Sequence, residues 1–167
     1  MTDREFFLAR RKAEYPAFQN VLKALPDKMD YKPHERSPSA QQLVWTLAQE
    51  LGSAVQLCDT GETSFPTAPA PALEAMIATF EKNYPALEER VREMDEAAWT
   101  KVGSLKSGGK VMMESPVGEF LWLLFFDAIH HRGQLAAYLR PMGGKVPAIY
   151  GPSADTKTAA APKVGRD

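Results

Sequence analysis

The chain has 167 residues, 44% hydrophobic and 25% charged, and its 20 basic and 21 acidic side chains leave a net charge of −1. This composition is typical of one ordinary globular domain and argues against a disordered or fibrous protein. Because the charges nearly balance, no broad positive field exists to attract a phosphate backbone, and we expect no nucleic-acid partner.

The cysteine count and the hydropathy of the chain indicate where in the cell the protein is expected. Cys58 is the single cysteine, so no intrachain disulfide can form, and we expect a cytoplasmic protein. The first residues lack the basic start and apolar stretch of a signal peptide. The longest apolar run, residues 120–126, is much shorter than the roughly 20 residues of a membrane-spanning helix, so we expect no membrane association.

Apolar residues that recur every three or four positions predict four long helices and an all-α fold, a single-domain four-helix bundle. The predicted helices cover residues 2–25, 39–58, 72–94 and 115–142. Pro16 and Pro85 lie inside the first and third of them, where proline predicts a kink or a break. Ser39 followed by Gln42 forms a capping box at the start of the second helix, and Gly61 ends it.

The segment between the third and fourth helices contains Trp99, expected to seal a connection, and Gly108-Gly109, a turn signal that indicates a small hairpin. Ser115-Pro116 starts the fourth helix, with proline in the first helical position, and Gly143-Gly144 ends it.

The fourth helix is apolar on every side over residues 120–126. Packing within one subunit does not readily cover such a segment, so we expect a homodimer. The predicted domain spans residues 1–150, in which residues 146–150 pack on the bundle, and residues 151–167 form a partly flexible tail.

Asp127 and His131 are four residues apart in the fourth helix and therefore share one helical face, which also carries apolar residues. Both polar groups should thus point into the bundle, where they need partners. A divalent metal ion is one such partner, and a hydrogen bond to a neutral histidine is the alternative. His130 lies about 100° round the helix from His131, which makes it the reserve ligand.

The second helix offers Thr46 and Glu50 on one face. Glu50 is the better metal ligand of the two, and a solvated surface glutamate is the competing interpretation. Arg132 and Gln134, which flank the histidines, could hold a carboxylate or complete a polar network, or could form a salt bridge and a surface amide.

Two sequence segments resemble the DinB family, whose four-helix fold is shared with YfiT-like metal-dependent proteins. The more specific is His130-His-Arg-Gly-Gln-Leu135, which continues through Tyr138-Leu-Arg-Pro-Met-Gly-Gly144 into Val146-Pro-Ala-Ile-Tyr-Gly-Pro-Ser-Ala-Asp155. The other is Ser39-Ala-Gln-Gln-Leu-Val-Trp45, at the start of the second helix. The resemblance implies three histidine ligands around a divalent ion, of which only His131 matches, because Asp127 and Thr46 stand where the other two are usual.

The ligand set that we predict is therefore His131, Asp127 and Glu50, with His130 in reserve, around Ni²⁺ or Zn²⁺. The resemblance further implies a metal-dependent transferase or hydrolase that activates a low-molecular-weight thiol or a water. The alternative hypothesis is a non-catalytic, stress-associated bundle that binds a small molecule, has a degenerate metal site and holds no metal.

Overall fold

The computed structural model describes residues 1–64 and 67–156. Within them the chain is mostly helical, with four helices of 21 or 22 residues, one short helix and three short strands. The helices are α1 (Asp3–Lys23), α2 (Ala40–Thr60), α3 (Leu73–Glu93), α4 (Glu96–Thr100) and α5 (Val117–Tyr138), and the strands are β1 (Glu62–Thr63), β2 (Val102–Ser107) and β3 (Lys110–Pro116).

The helix starts follow the local sequence closely. The predicted capping box of Ser39 and Gln42 opens α2, and Thr2 with Glu5 forms a second capping box in front of α1. Gly61, at φ 75°, ends α2 in the left-handed conformation that favours glycine. The predicted limits of these helices are therefore confirmed to within about two residues.

Pro85 does not break its helix, because α3 runs uninterrupted from Leu73 to Glu93. A proline removes one intrahelical hydrogen bond, but its neighbours Tyr84 and Leu87 are fully buried and hold the two halves together. Tyr84 also donates its hydroxyl hydrogen to the carbonyl of Arg11, 2.6 Å away in α1.

One contiguous apolar core holds the four long helices together. Helix α2 packs on both α3 and α5, and α1 packs on α5 and α3. The largest fully buried side chains include Phe7 and Phe18 of α1, Leu47 of α2, Phe80 of α3 and Leu121 of α5. Among the described helices none is long and apolar enough to cross a membrane.

A three-stranded sheet, in the order β1-β2-β3, modifies the all-α prediction. The hairpin predicted at Gly108-Gly109 is confirmed, since β2 and β3 pair antiparallel around these two glycines, which have φ of 55° and 78°. Strand β1 is not predictable from its own residues, because two residues are too few to show the alternation of apolar and polar side chains that is typical of a strand. Its pairing depends on β2, where Glu62 lies beside Ser104 and Thr63 beside Leu105 in a parallel register.

Helix α5 begins two residues later than predicted. Ser115 and Pro116 end β3, and Pro116 is the N-cap residue, not the first helical residue. Gly118, in the first turn, lies against Trp99 of α4, and a Cβ added to this glycine would come within 2.3 Å of the indole. The indole of Trp99 therefore occupies the space of a side chain, and it seals this end of the core as expected.

The segment after α5 is fixed by side chains. Asp155 accepts hydrogen bonds from the backbone N–H of Val146 and from Arg140. The Tyr150 ring is 74% exposed, although its hydroxyl contacts the bundle. Of the predicted tail, residues 157–167 lie outside the described residues.

Candidate metal centre

Three of the four predicted ligands come together in the structure. Glu50, Asp127 and His131 each offer one ligand atom, and these atoms lie within 4.8 Å of one another. Glu50 comes from α2, while Asp127 and His131 lie one turn apart on α5, which packs directly on α2. The four-residue spacing and the contact between two helices are therefore sufficient to assemble the group.

The His131 ring is oriented by the residue three positions further along α5. Its Nδ1 lies 2.9 Å from the side-chain oxygen of Gln134, which can only accept a hydrogen bond, so Nδ1 carries the ring hydrogen. Its Nε2 lies 3.6 Å from Glu50 Oε1 and 3.4 Å from Asp127 Oδ2. The Nε2 atom thus points at two carboxyl groups, an arrangement that requires a proton or a cation between them.

Glu50 is 4% exposed, so the interpretation as a solvated surface glutamate is wrong. Its Oε2 is buried and has no hydrogen-bond partner among the described residues. Burial, and after it the neighbouring Asp127 carboxyl, raise the pKa of Glu50 to about 9. In the absence of a cation, Glu50 therefore keeps its proton at neutral pH, and a bound cation would displace that proton.

The donor set fits a divalent first-row metal ion. One imidazole nitrogen and two carboxylate oxygens suit Ni²⁺ or Zn²⁺. The group faces a cavity of about 260 Å³ that is also lined by Thr46 and Gln49, and the Asp127 side chain is 48% exposed. Three protein ligands beside an open cavity are typical of a catalytic metal site, whereas structural sites are closed by a fourth protein ligand.

His130 is not part of this group. It is exposed, and its ring centroid lies 5.4 Å from that of His131. The predicted offset of about 100° on the helix explains the separation. Thr46 lines the same cavity as the three ligands, so the position where the resemblance implies a histidine does face the site.

Arg132 belongs to a different polar cluster, which we call the Arg132 triangle. The guanidinium is 2% exposed and donates to Glu14 Oε2 and to the Tyr150 hydroxyl. The Tyr150 hydroxyl in turn donates to Glu14 Oε2, 2.9 Å away. Arg132 also stacks on the Phe18 ring, with its Cζ 4.7 Å from the centroid. Of the two alternatives for Arg132, the structure therefore shows an ion pair, and a buried one.

A polar and an apolar cavity adjoin the candidate metal centre. The polar one of about 590 Å³ shares Thr46 and Gln49 with it and contains Lys32 and Arg36. The apolar one of about 270 Å³ shares Asp127. No local sequence pattern predicts the apolar cavity, because its wall depends on the register of the hairpin.

Comparison with known proteins supports this architecture. The sequence profile of the DinB family matches residues 5–163. The crystal structure of a DinB-like protein from Bacillus cereus has a TM-score of 0.68 at 22% identity, covering 87% of this chain and 97% of the other. A DinB-like protein from Bacillus subtilis, YjoA, has a TM-score of 0.59 at 20% identity, covering 93% of this chain and 99% of the other. No curated protein matches significantly.

Proposed function

This chain belongs to the DinB family, and on that basis we propose that it is a metal-dependent transferase or hydrolase whose nucleophile is a low-molecular-weight thiol or a water. The observation that carries the proposal is the convergence of Glu50, Asp127 and His131 beside an open cavity. We further propose that α1, α2, α3 and α5 form the four-helix bundle of the family and that the protein acts in the cytoplasm.

In this proposal each residue of the centre has a distinct role. Glu50, Asp127 and His131 hold Ni²⁺ or Zn²⁺, and Gln134 keeps the His131 Nε2 lone pair directed at the ion through its contact with Nδ1. When bound, such an ion would lower the pKa of a coordinated water to near neutrality and would hold a coordinated thiol as the thiolate. The partial exposure of Asp127 leaves the substrate side of the centre accessible.

The neighbouring polar cavity supports a thiol as the co-substrate. Small biological thiols commonly carry carboxylates, and Lys32 and Arg36 line that cavity against one acidic residue, Glu35. The cavity shares Thr46 and Gln49 with the metal centre. A thiol whose carboxylates pair with the two basic side chains could therefore extend its sulfur toward the ion.

A second candidate function is a binding protein without a metal. The observation in its favour is the burial of Glu50 beside Asp127 and His131. Burial raises the pKa of Glu50 to about 9, so a proton on that carboxyl can replace a cation between the three groups. Thr46, which offers no nitrogen ligand, favours the same candidate.

Metal titration separates the two candidates. Protein purified without a histidine tag is titrated with Ni²⁺ and Zn²⁺ by calorimetry, together with His131→Ala and His130→Ala. We expect one ion per chain for the wild type and His130→Ala, and at least a ~100-fold loss of affinity for His131→Ala. The far-ultraviolet circular dichroism should remain helical in all three.

A wild type that stays metal-free under replete conditions would favour the binding protein. Equal losses in the two histidine variants would overturn the ligand assignment, because His130 is the matched neighbour outside the group.

We also propose a homodimer. Of the apolar segment 120–126, Phe126 is 60% exposed, and it lines an apolar groove of about 450 Å³ between α1 and α5 with Phe6, which is 42% exposed. Covering this groove with a second copy would remove apolar surface from water. Analytical sedimentation should show a dimer at micromolar concentration and a monomer for Phe126→Glu. A monomeric wild type would exclude the homodimer.

A further inference from the structure

The apolar cavity beside Asp127 lies between the β2-β3 hairpin and α5. Its wall consists of Thr63, Leu105, Met113, Phe120, Leu123, Leu124 and Asp127. At about 270 Å³ it is slightly smaller than the roughly 300–1,000 Å³ of pockets that enclose whole drug-sized ligands. It can therefore accommodate a small apolar group, and we call it the hairpin pocket.

A β-bulge shapes the hairpin side of this pocket. The pairing steps from Leu105 opposite Met113 to Lys106 opposite Val111, so Met112 is an extra residue in β3. Bulges redirect neighbouring side chains and occur often next to active sites. Here Leu105 and Met113 line the pocket, whereas Met112 is 64% exposed and does not.

The hairpin pocket and the cavity in front of the candidate metal centre share one wall residue. Asp127 lines both the hairpin pocket and the cavity in front of Glu50 and His131. Protein interiors are close-packed and leave few such voids. Leu123, which lines the hairpin pocket, is 51% exposed. The pocket therefore exposes apolar surface to water near Asp127.

We propose that the hairpin pocket binds an apolar substituent of the substrate and holds the reactive group next to Asp127. The substrate is therefore a small molecule in which a compact apolar group, such as a phenyl or branched alkyl group, adjoins the centre that reacts. Leu105, Met113 and Leu123 determine specificity by the size and shape of the group they admit. This inference rests on the proposed function, because the metal centre is where the reactive group would be placed.

The first test needs no metal. Metal-free protein carrying ¹³C-labelled methionine methyl groups is titrated with benzyl alcohol, and the methyl resonances are followed by NMR. We expect a saturable shift of the Met113 methyl and none for Met112, its neighbour in the same strand. An unmoved Met113 resonance, or equal shifts of the two, would overturn the inference.

The second test uses Zn²⁺-loaded protein and two inhibitors with the same chelating head, acetohydroxamate and benzohydroxamate. Burying the additional phenyl group should make benzohydroxamate bind at least about tenfold more tightly. Met113→Trp, which fills the pocket, should abolish this preference, and Met112→Trp should keep it. Leu123→Ser, at an exposed position that tolerates substitution, should reduce the preference about threefold.

The two tests separate the inference from the function on which it rests. If neither hydroxamate binds more tightly in the presence of Zn²⁺, the metal-dependent function fails, and the methionine shifts alone then decide whether the pocket binds apolar groups. If both hydroxamates bind the Zn²⁺ protein equally and the Met113 methyl does not shift, the metal centre stands and the hairpin pocket is refuted.

Discussion

His131 and Arg132 are adjacent on α5, yet they belong to polar clusters of opposite character. Arg132 is paired with Glu14 and Tyr150, so its buried charge is neutralised by the chain itself, although its Nε has no hydrogen-bond partner among the described residues. His131 faces Glu50 and Asp127, two carboxyl groups that have no Lys or Arg partner among the described residues. The Arg132 triangle contains its own cation, whereas the candidate metal centre contains no Lys or Arg among the described residues.

This difference indicates which cluster serves stability and which serves binding. A buried ion pair whose partners all come from the chain holds parts of the fold together: Glu14 is in α1, Arg132 in α5 and Tyr150 in the C-terminal segment. In the candidate metal centre Glu50 is buried while Asp127 is half exposed, and the group is completed by a proton or a metal ion that arrives from outside. We therefore expect substitutions in the triangle to change stability and substitutions in the centre to change ligand binding.

The largest effect should follow Arg132→Met, which keeps much of the side-chain volume and removes the charge. Glu14, whose side chain is 17% exposed, would lose its cationic partner and keep only the hydrogen bond from Tyr150. Breaking a buried ion pair on one side costs roughly 3–5 kcal/mol of unfolding free energy. Chemical denaturation measures this cost.

Arg140→Ala is the matched control, because Arg140 also pairs with a carboxylate but its side chain is 53% exposed. Its cost should be about 1 kcal/mol or less. Similar losses for the two variants would remove the distinction between a buried and an exposed pair.

The next effect is the pH dependence of the metal-free protein. The folded state raises the pKa of Glu50 from 4.5 to about 9, so folding favours the protonated carboxyl. The resulting stabilisation is complete below about pH 4.5 and is lost as the pH rises through about 9, by roughly a few kcal/mol. Glu50→Gln should flatten this decline, measured by denaturation at a series of pH values. A decline of equal steepness in both proteins would assign it to other groups.

A smaller effect is expected from Gln134→Leu. Without the acceptor at Nδ1, the imidazole can rotate or carry its hydrogen on Nε2, which then cannot bind an ion. Loss of such an orienting partner typically weakens metal binding about 10–100-fold. Gln134→Glu, which retains an acceptor oxygen, should restore most of the affinity in the same calorimetric titration. If Gln134→Leu binds Zn²⁺ as tightly as the wild type, the orienting role is wrong.

The smallest effect should come from Tyr150→Phe. The hydroxyl bonds to Arg132 and Glu14, but the ion pair between those two residues remains. Removal of the hydroxyl should cost about 0.5–1.5 kcal/mol of unfolding free energy and leave metal affinity unchanged. A loss as large as that of Arg132→Met would show that the tyrosine, not the charge pairing, holds the triangle together.

Local sequence patterns predicted the parts of the molecule that local geometry controls. The capping box at Ser39, the turn at Gly108-Gly109 and the shared face of Asp127 and His131 each depend on residues within about one turn of one another. The prediction of Glu50 as a metal ligand followed from its four-residue spacing to Thr46 and from the resemblance to the DinB family.

The remaining features depend on residues far apart in the chain. Tyr150 and Glu14, which meet in the Arg132 triangle, are separated by 136 positions. The burial of Glu50 depends on how α2 packs against α5, and the hairpin pocket depends on a bulge that moves the register by one residue. A pattern within one segment carries no information about any of these contacts.

The parallel pairing of β1 with β2 sets the order in which the sheet can form during folding. Parallel neighbours cannot be joined by a tight turn, and here α3 and α4 lie between the two strands. The hairpin and the start of α5 are contiguous in sequence, so the loops closed in bringing them together are short. Pairing β1 with β2 instead closes a long loop and gains only two paired residues. The entropic cost of closing that loop comes before any stabilisation from the contact. We therefore expect the sheet to form from its β3 edge inward, with β1 joining last.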